Sequence, residues 1–169
     1  MDGRGNRTVR MLVMDVDGTL TDGGIYIGGS GEAVKRFHVR DGYAIRHMLP
    51  ACRIIPVIIT GRESEIVRIR CAELGIVHLV QGSRDKKADL MRILQKEGIS
   101  LEETAYIGDD LNDLECMKIA GLSACPADAA DKVKEEADYI TEHPGGHGAV
   151  REFIEWIISR CGIADYDYS

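Results

Sequence analysis

The chain has 169 residues, the length of one domain, with 44% hydrophobic and 29% charged residues, a balance ordinary for a water-soluble fold. Its 21 basic and 28 acidic residues leave a net charge of −7, which argues against nucleic acid or an anionic membrane as the main partner. No apolar run approaches the ~20 residues of a membrane span and no signal-peptide core precedes the first apolar stretch, so a cytoplasmic protein is expected.

Residues 1–8 are basic and Gly-rich and read as a disordered lead-in to a single domain over 9–160, with a frayed acidic tail over 161–169. "VRMLVMD" (9–15) predicts the first strand. Residues 23–39 predict a β-hairpin turning at Gly28–Gly31, with β-branched and aromatic residues on both arms. Asp41 is placed to cap a short helix that Pro50 ends. "IIPVIIT" (54–60) is almost continuously apolar, as a parallel strand covered on both faces must be. A helix over 63–74, with Ile66, Ile69 and Leu74 as its apolar face, stops at Gly75. A strand at 77–80, a helix at 86–98 with Leu90, Ile93 and Leu94 inward, a strand at 104–108 and a helix at 111–121 follow. Strands at 122–125 and 138–141 and helices at 128–136 and about 148–160 complete the pattern. Five cysteines (52, 71, 116, 125 and 161) are scattered without a C-x-x-C pair and read as reduced, packed thiols.

Repeated β-α-β units with right-handed crossovers give an α/β fold: a Rossmann-like, mostly parallel sheet with helices on both faces. Ligands of such sheets sit outside the carboxyl ends of the strands. Four short stretches fall just there: Asp15 and Asp17, Thr60, Lys86, and Asp109 with Asp110. Carboxylates crowded on one rim need a cation to stay ionised, and an all-oxygen donor set suits a hard divalent ion, Mg²⁺ above all. A lysine and a hydroxyl beside them suit a phosphoryl group.

In that order and spacing the stretches resemble the haloacid dehalogenase superfamily. "DVDGTLTDG" resembles its first motif, "TGR" its second, Lys86 its third and "GDDLND" its fourth, covering residues 9 to about 158. "LTDGGIYI", "AYIGDDLND" and "GGHGAVREF" are similar to the small capless branch that acts on sugar-acid phosphates, 3-deoxy-D-manno-octulosonate 8-phosphate or nonulosonate 9-phosphates. The resemblance implies Asp15 as nucleophile and Asp17 as general acid and base. It implies Asp15, the Asp17 carbonyl and Asp109 as Mg²⁺ ligands, Thr60 and Lys86 on the phosphoryl group, and Asp110 and Asp113 supporting metal waters or Lys86. Asp17 favours hydrolysis, because members that act as dehalogenases or ion pumps lack that second acid. Neither interval between the motifs holds a cap domain; the hairpin stands in its place.

Arg62 after the second motif, beside Gly61, and Arg70 further along the same helix are candidate contacts for a sugar-acid carboxylate. This arginine pattern resembles the octulosonate branch, whereas the nonulosonate branch tends to carry Glu after Thr-Gly and a Lys where Glu73 stands. A receiver domain and a catalytically retired assembly domain are the rival readings; the first orders its acids differently and the second would have lost part of the site. The resemblance further implies a homotetramer built around the hairpins, with Ile25, Ile27, Val34 and Phe37 exposed on them and Arg151 near an active-site mouth.

Overall fold

The structure, a computed structural model, describes residues 8–160. The expected lead-in, apart from Thr8, and the expected tail with Cys161 lie outside the described residues. Eight strands are assigned: β1 (Met11–Met14), β2 (Tyr26–Gly28), β3 (Gly31–Val34), β4 (Ile55–Ile59), β5 (His78–Val80), β6 (Thr104–Ile107), β7 (Leu122–Cys125) and β8 (Tyr139–Ile140). Six of them form a wholly parallel sheet in the order β5-β4-β1-β6-β7-β8, and β2 and β3 pair separately as the antiparallel hairpin.

Seven α-helical segments cover the sheet: α1 (Val39–Tyr43), α2 (Leu49–Ala51), α3 (Glu65–Leu74), α4 (Lys86–Glu97), α5 (Leu114–Ile119), α6 (Asp131–Glu136) and α7 (Ala149–Arg160). The strand period of two divides the core. Leu12 and Met14 face a layer with Val67, Cys71, Phe153 and Ile157, while Met11 and Val13 face Leu90, Ile93, Met117 and Val133. Every β1 residue is therefore buried, which explains why the sheet strands read as unbroken apolar runs. Cys52, Cys71, Cys116 and Cys125 are free thiols, the last three buried.

Several local expectations are corrected. Asp41 does not cap its own helix: α1 begins at Val39 with no side-chain cap, and the Asp41 carboxylate instead accepts the backbone N–H of Arg151 at 2.8 Å, in the first turn of α7. Pro50 does not end the helix. A π turn at Ala44–Met48 joins α1 to α2, and Pro50 falls in the first turn after that register change, where no N–H is needed. The run stops instead where Arg53 turns left-handed, at φ 58°. On α3 the buried stripe is Val67, Cys71 and Leu74, so Leu74 faces inward as expected, while Ile66 is only half-buried and Ile69 is 51% exposed. The expected helix at 128–136 is confined to Asp131–Glu136. Phe37 packs partly buried against the core, bridged to Thr21.

The loop at 144–148 lies directly on the loop at 16–22. Gly146 N donates to the Thr19 carbonyl at 3.1 Å, and a side chain at Gly145 or Gly146 would collide with the backbone of Gly18, Thr21 or Asp22.

Candidate active site

Parallel register brings the strand ends level. Met14 pairs with both Ile58 and Ile107, so Asp15, Thr60 and Asp109 leave the sheet at one rim. Lys86 enters the same rim from the start of α4 and bonds the Asp15 and Asp113 carboxylates, each at 2.8 Å. Carboxylate oxygens of Asp15, Asp109 and Asp113 all lie within 4.8 Å of one another.

Asp113 anchors this cluster. It is fully buried, at 0% exposure, and accepts from Lys86 Nζ, from the Tyr106 hydroxyl at 2.6 Å, and from the Asp109 and Asp110 amides at 3.1 and 3.3 Å. Asp110 points outward and accepts the Leu111 N–H at 2.7 Å. Of the two expected supporting acids, Asp113 holds Lys86 and Asp110 caps the turn that follows. Burial opposes the Lys86 ammonium, yet Asp15 and Asp113 hold its pKa above the ordinary lysine value.

Gly18 makes room for Asp109. It is left-handed, at φ 93°, and a Cβ there would run into the Asp109 carboxylate. Thr19 Oγ1 donates to Asp109 Oδ1 at 2.8 Å. Burial and the Asp113 charge raise Asp15 to a pKa of about 6, against the pull of Lys86. Burial and the Asp15 charge raise Asp109 to about 7, against the bond from Thr19. Asp113 is saturated by protein donors, so the charge stress falls on Asp15 and Asp109. A buried and a half-buried carboxylate this close, each offering oxygen ligands, fit a hard divalent cation such as Mg²⁺.

Asp17 sits apart from that cluster, in a ring of charges. Lys35, on the hairpin beyond β3, bonds Asp17 Oδ1 and lies 2.8 Å from Glu32 Oε1. Arg62 approaches Asp17 Oδ2 at 3.9 Å and Glu32 at 3.7 Å. Glu32 also accepts the hydroxyl of Ser64, the residue that caps α3. Lys35 and Glu32 are the site residues that sequence reasoning missed. Their partners are 18 and 32 positions away, and no local pattern marks either one.

Thr60 is buried at the end of β4, its amide bonded to Val80 O and its carbonyl to Ser83 N; Gly61 next to it is exposed. Arg70 lies over the Phe37 ring, 5.7 Å from its centroid, and pairs with Glu73 at 3.0 Å. Arg151 lies over Tyr43 and pairs with Glu155 at 2.6 Å. It lines a groove of about 300 Å³ with Arg40, His143 and Glu152. Of the three candidate arginines, Arg62 alone has an ion pair with an acid of the site.

A family model described as haloacid dehalogenase-like hydrolase matches residues 55–154. The 3-deoxy-D-manno-octulosonate 8-phosphate phosphatase of Salmonella typhi is 47% identical over 157 residues, 93% of this chain and 83% of the relative. The crystal structure of the enzyme of that name from Moraxella catarrhalis, in complex with a magnesium ion, a phosphate ion and a KDO molecule, superposes with a TM-score of 0.88 at 40% identity, covering 96% of this chain and 95% of that one. The cobalt-bound deoxy-D-mannose-octulosonate 8-phosphate phosphatase of Haemophilus influenzae superposes at 0.91, with 37% identity over 97% of this chain and 95% of that one.

Proposed function

The chain belongs to the haloacid dehalogenase-like hydrolases, and from that membership we propose that it is a Mg²⁺-dependent phosphatase that hydrolyses 3-deoxy-D-manno-octulosonate 8-phosphate. The observation that carries the chemistry is the strand-end cluster of Asp15, Asp109 and Asp113 around Lys86. The relatives' names supply the substrate, and those described above are named for the octulosonate ester, none for a nonulosonate.

In the reaction an Asp15 carboxylate oxygen attacks phosphorus and the phosphorus–oxygen bond to the sugar breaks. Asp17 gives its proton to the departing alkoxide, leaving an aspartyl phosphate and the free sugar acid. Water then attacks the phosphorus of that acyl phosphate, Asp17 takes a proton from it, and Asp15 departs as a carboxylate. Lys86 is fixed by Asp15 and Asp113 where charge builds on the phosphoryl oxygens. Thr60 offers a hydroxyl from the same rim. Asp15, Asp109 and the Asp17 carbonyl would hold Mg²⁺, which neutralises the phosphoryl oxygens and the crowded acids. Arg62, and Arg70 and Arg151 if a neighbouring subunit completes the site, are the candidate carboxylate contacts.

The site opens outward without a cap, and the hairpin beside it exposes Ile25, Tyr26, Ile27 and Val34, with Val39 and Tyr43 below. An apolar face of that kind supports assembly, and a homotetramer in which hairpins pair is the proposed form. Light scattering that returned a monomer at micromolar concentration would remove that part of the reading. The activity is tested by phosphate release from a panel of sugar phosphates with Mg²⁺. Asp15→Asn should fall to background, and Asp17→Asn should let a phosphorylated enzyme accumulate as its general base, worth ~10²–10⁴-fold, is lost. Release unaffected by Asp15→Asn would overturn the nucleophile.

A further inference from the structure

The hairpin carries a cation that nothing in the sheet requires. The Lys35 side chain is 1% exposed, and its partners among the described residues are Asp17 and Glu32. Burial opposes its charge, yet both acids hold it above the ordinary lysine value. Apolar residues of the same volume commonly fill such a space at equal or lower cost, so packing does not account for it. Glu32 fixes Lys35 from behind and is itself fixed to α3, through Ser64 at the helix cap. A continuous chain of charged and hydrogen-bonded groups thus runs from the cap of α3, through the hairpin, to the second acid of the D-x-D pair.

We propose that Lys35 is a positioning residue for Asp17, holding its carboxylate in the one orientation from which it exchanges protons with the leaving oxygen and the attacking water. The inference rests on the acid–base role assigned to Asp17 above. The hairpin is then part of the catalytic machinery as well as a wall beside it, because displacing β3 displaces Lys35 and with it the acid. Docking of the hairpin is already served by Glu32 through Ser64 at the cap of α3, which leaves the Lys35 contact with Asp17 free for positioning.

The test is a double-mutant cycle on Lys35→Met and Asp17→Asn, with an alkyl sugar phosphate and 4-nitrophenyl phosphate as substrates. A nitrophenolate leaves without help from an acid, so a positioning role predicts a tenfold or greater loss of kcat/KM, which reports phosphoryl transfer to Asp15, on the sugar phosphate and a smaller loss of kcat/KM on the nitrophenyl ester. In the Asp17→Asn background Lys35→Met should cost less than threefold. Equal losses on both esters, or equal losses with and without Asp17, would overturn the proposal. Should Lys35→Met fail to fold, Glu32→Gln/Lys35→Met removes the buried pair of charges together and enters the same cycle. A crystal structure of either variant gives a readout independent of activity: the Asp17 carboxylate should leave its present rotamer, and an unmoved Asp17 refutes the inference. A parent protein inactive on both esters refutes the phosphatase reading instead, and the rotamer comparison still decides the role of Lys35.

Discussion

Asp41→Asn should stabilise the protein as pH rises. Asp41 is 1% exposed; Oδ1 accepts the Arg151 amide, and Oδ2 is buried without a partner among the described residues. Burial raises its pKa from 3.8 to about 6, although the Arg151 and Gly148 amides pull the other way. The folded protein therefore binds this proton more tightly than the unfolded chain. Its contribution to stability is greatest below pH 4, declines through the interval from about 4 to 6, and is level above that. A rise of about two units at 1.36 kcal/mol each makes the ionised group cost ~3 kcal/mol at pH 8, against ~1 kcal/mol at pH 4.5. Asparagine keeps an acceptor for Arg151 and never ionises, while its new buried donor costs ~1 kcal/mol at every pH. The quantity to read is thus the change in ΔΔG between pH 4.5 and 8: the variant should gain about 2 kcal/mol on the parent. Urea denaturation at four or five pH values measures it. A ΔΔG that stays constant across that range, or moves in the parent's favour as pH rises, refutes the reasoning. Asp41→Ala is the contrast, because it removes the cap of α7 and should cost ~1–2 kcal/mol.

Chelation should silence the enzyme and Mg²⁺ restore it; because Asp15 and Asp109 hold protons up to about 6 and 7, Mg²⁺ should raise the melting temperature more at pH 8 than at pH 5.5, and a shift of the same size at both would count against these ligands. Lys86→Met leaves Asp15 and Asp113 buried without their cation, so calorimetry should record a loss of ~3–5 kcal/mol and phosphate release should fall at least a hundredfold. Arg151→Ala should raise KM for the sugar-acid phosphate more than for a small generic ester; equal effects on the two would exclude a substrate-specific role.

The sheet and the acid cluster were legible in the sequence for one reason: both are written at strand ends. A buried parallel strand must be apolar throughout, so "MLVM", "IPVII" and "TAYI" announce themselves, and the first polar residues after them must stand at the rim. What was not legible depends on pairings between distant residues. Asp41 has the residue type and place of a cap, but the helix it caps begins more than a hundred positions later. Pro50 reads as a stop because a local rule has no knowledge of the π turn before it. Ile69 and Val67 are equally apolar, and only the seating of α3 beside Ile45 and Ile58 decides which one turns inward. Lys35 sits in a hairpin arm whose neighbours are exposed, and its burial follows from Asp17 and Glu32, not from its own stretch.

The glycine contact between the loops at 144–148 and 16–22 has a dynamic consequence. Two backbones that touch with no side chain between them have no soft layer to absorb relative motion, and the Gly146 to Thr19 bond ties them further. The two loops should then breathe as one foldon, although about 120 residues of chain separate them. In native-state hydrogen exchange, the amides of Gly146, Leu20 and Thr21 should open with a common free energy and share one denaturant dependence. The start of the last helix would thereby report on the rigidity of the turn that carries Asp17.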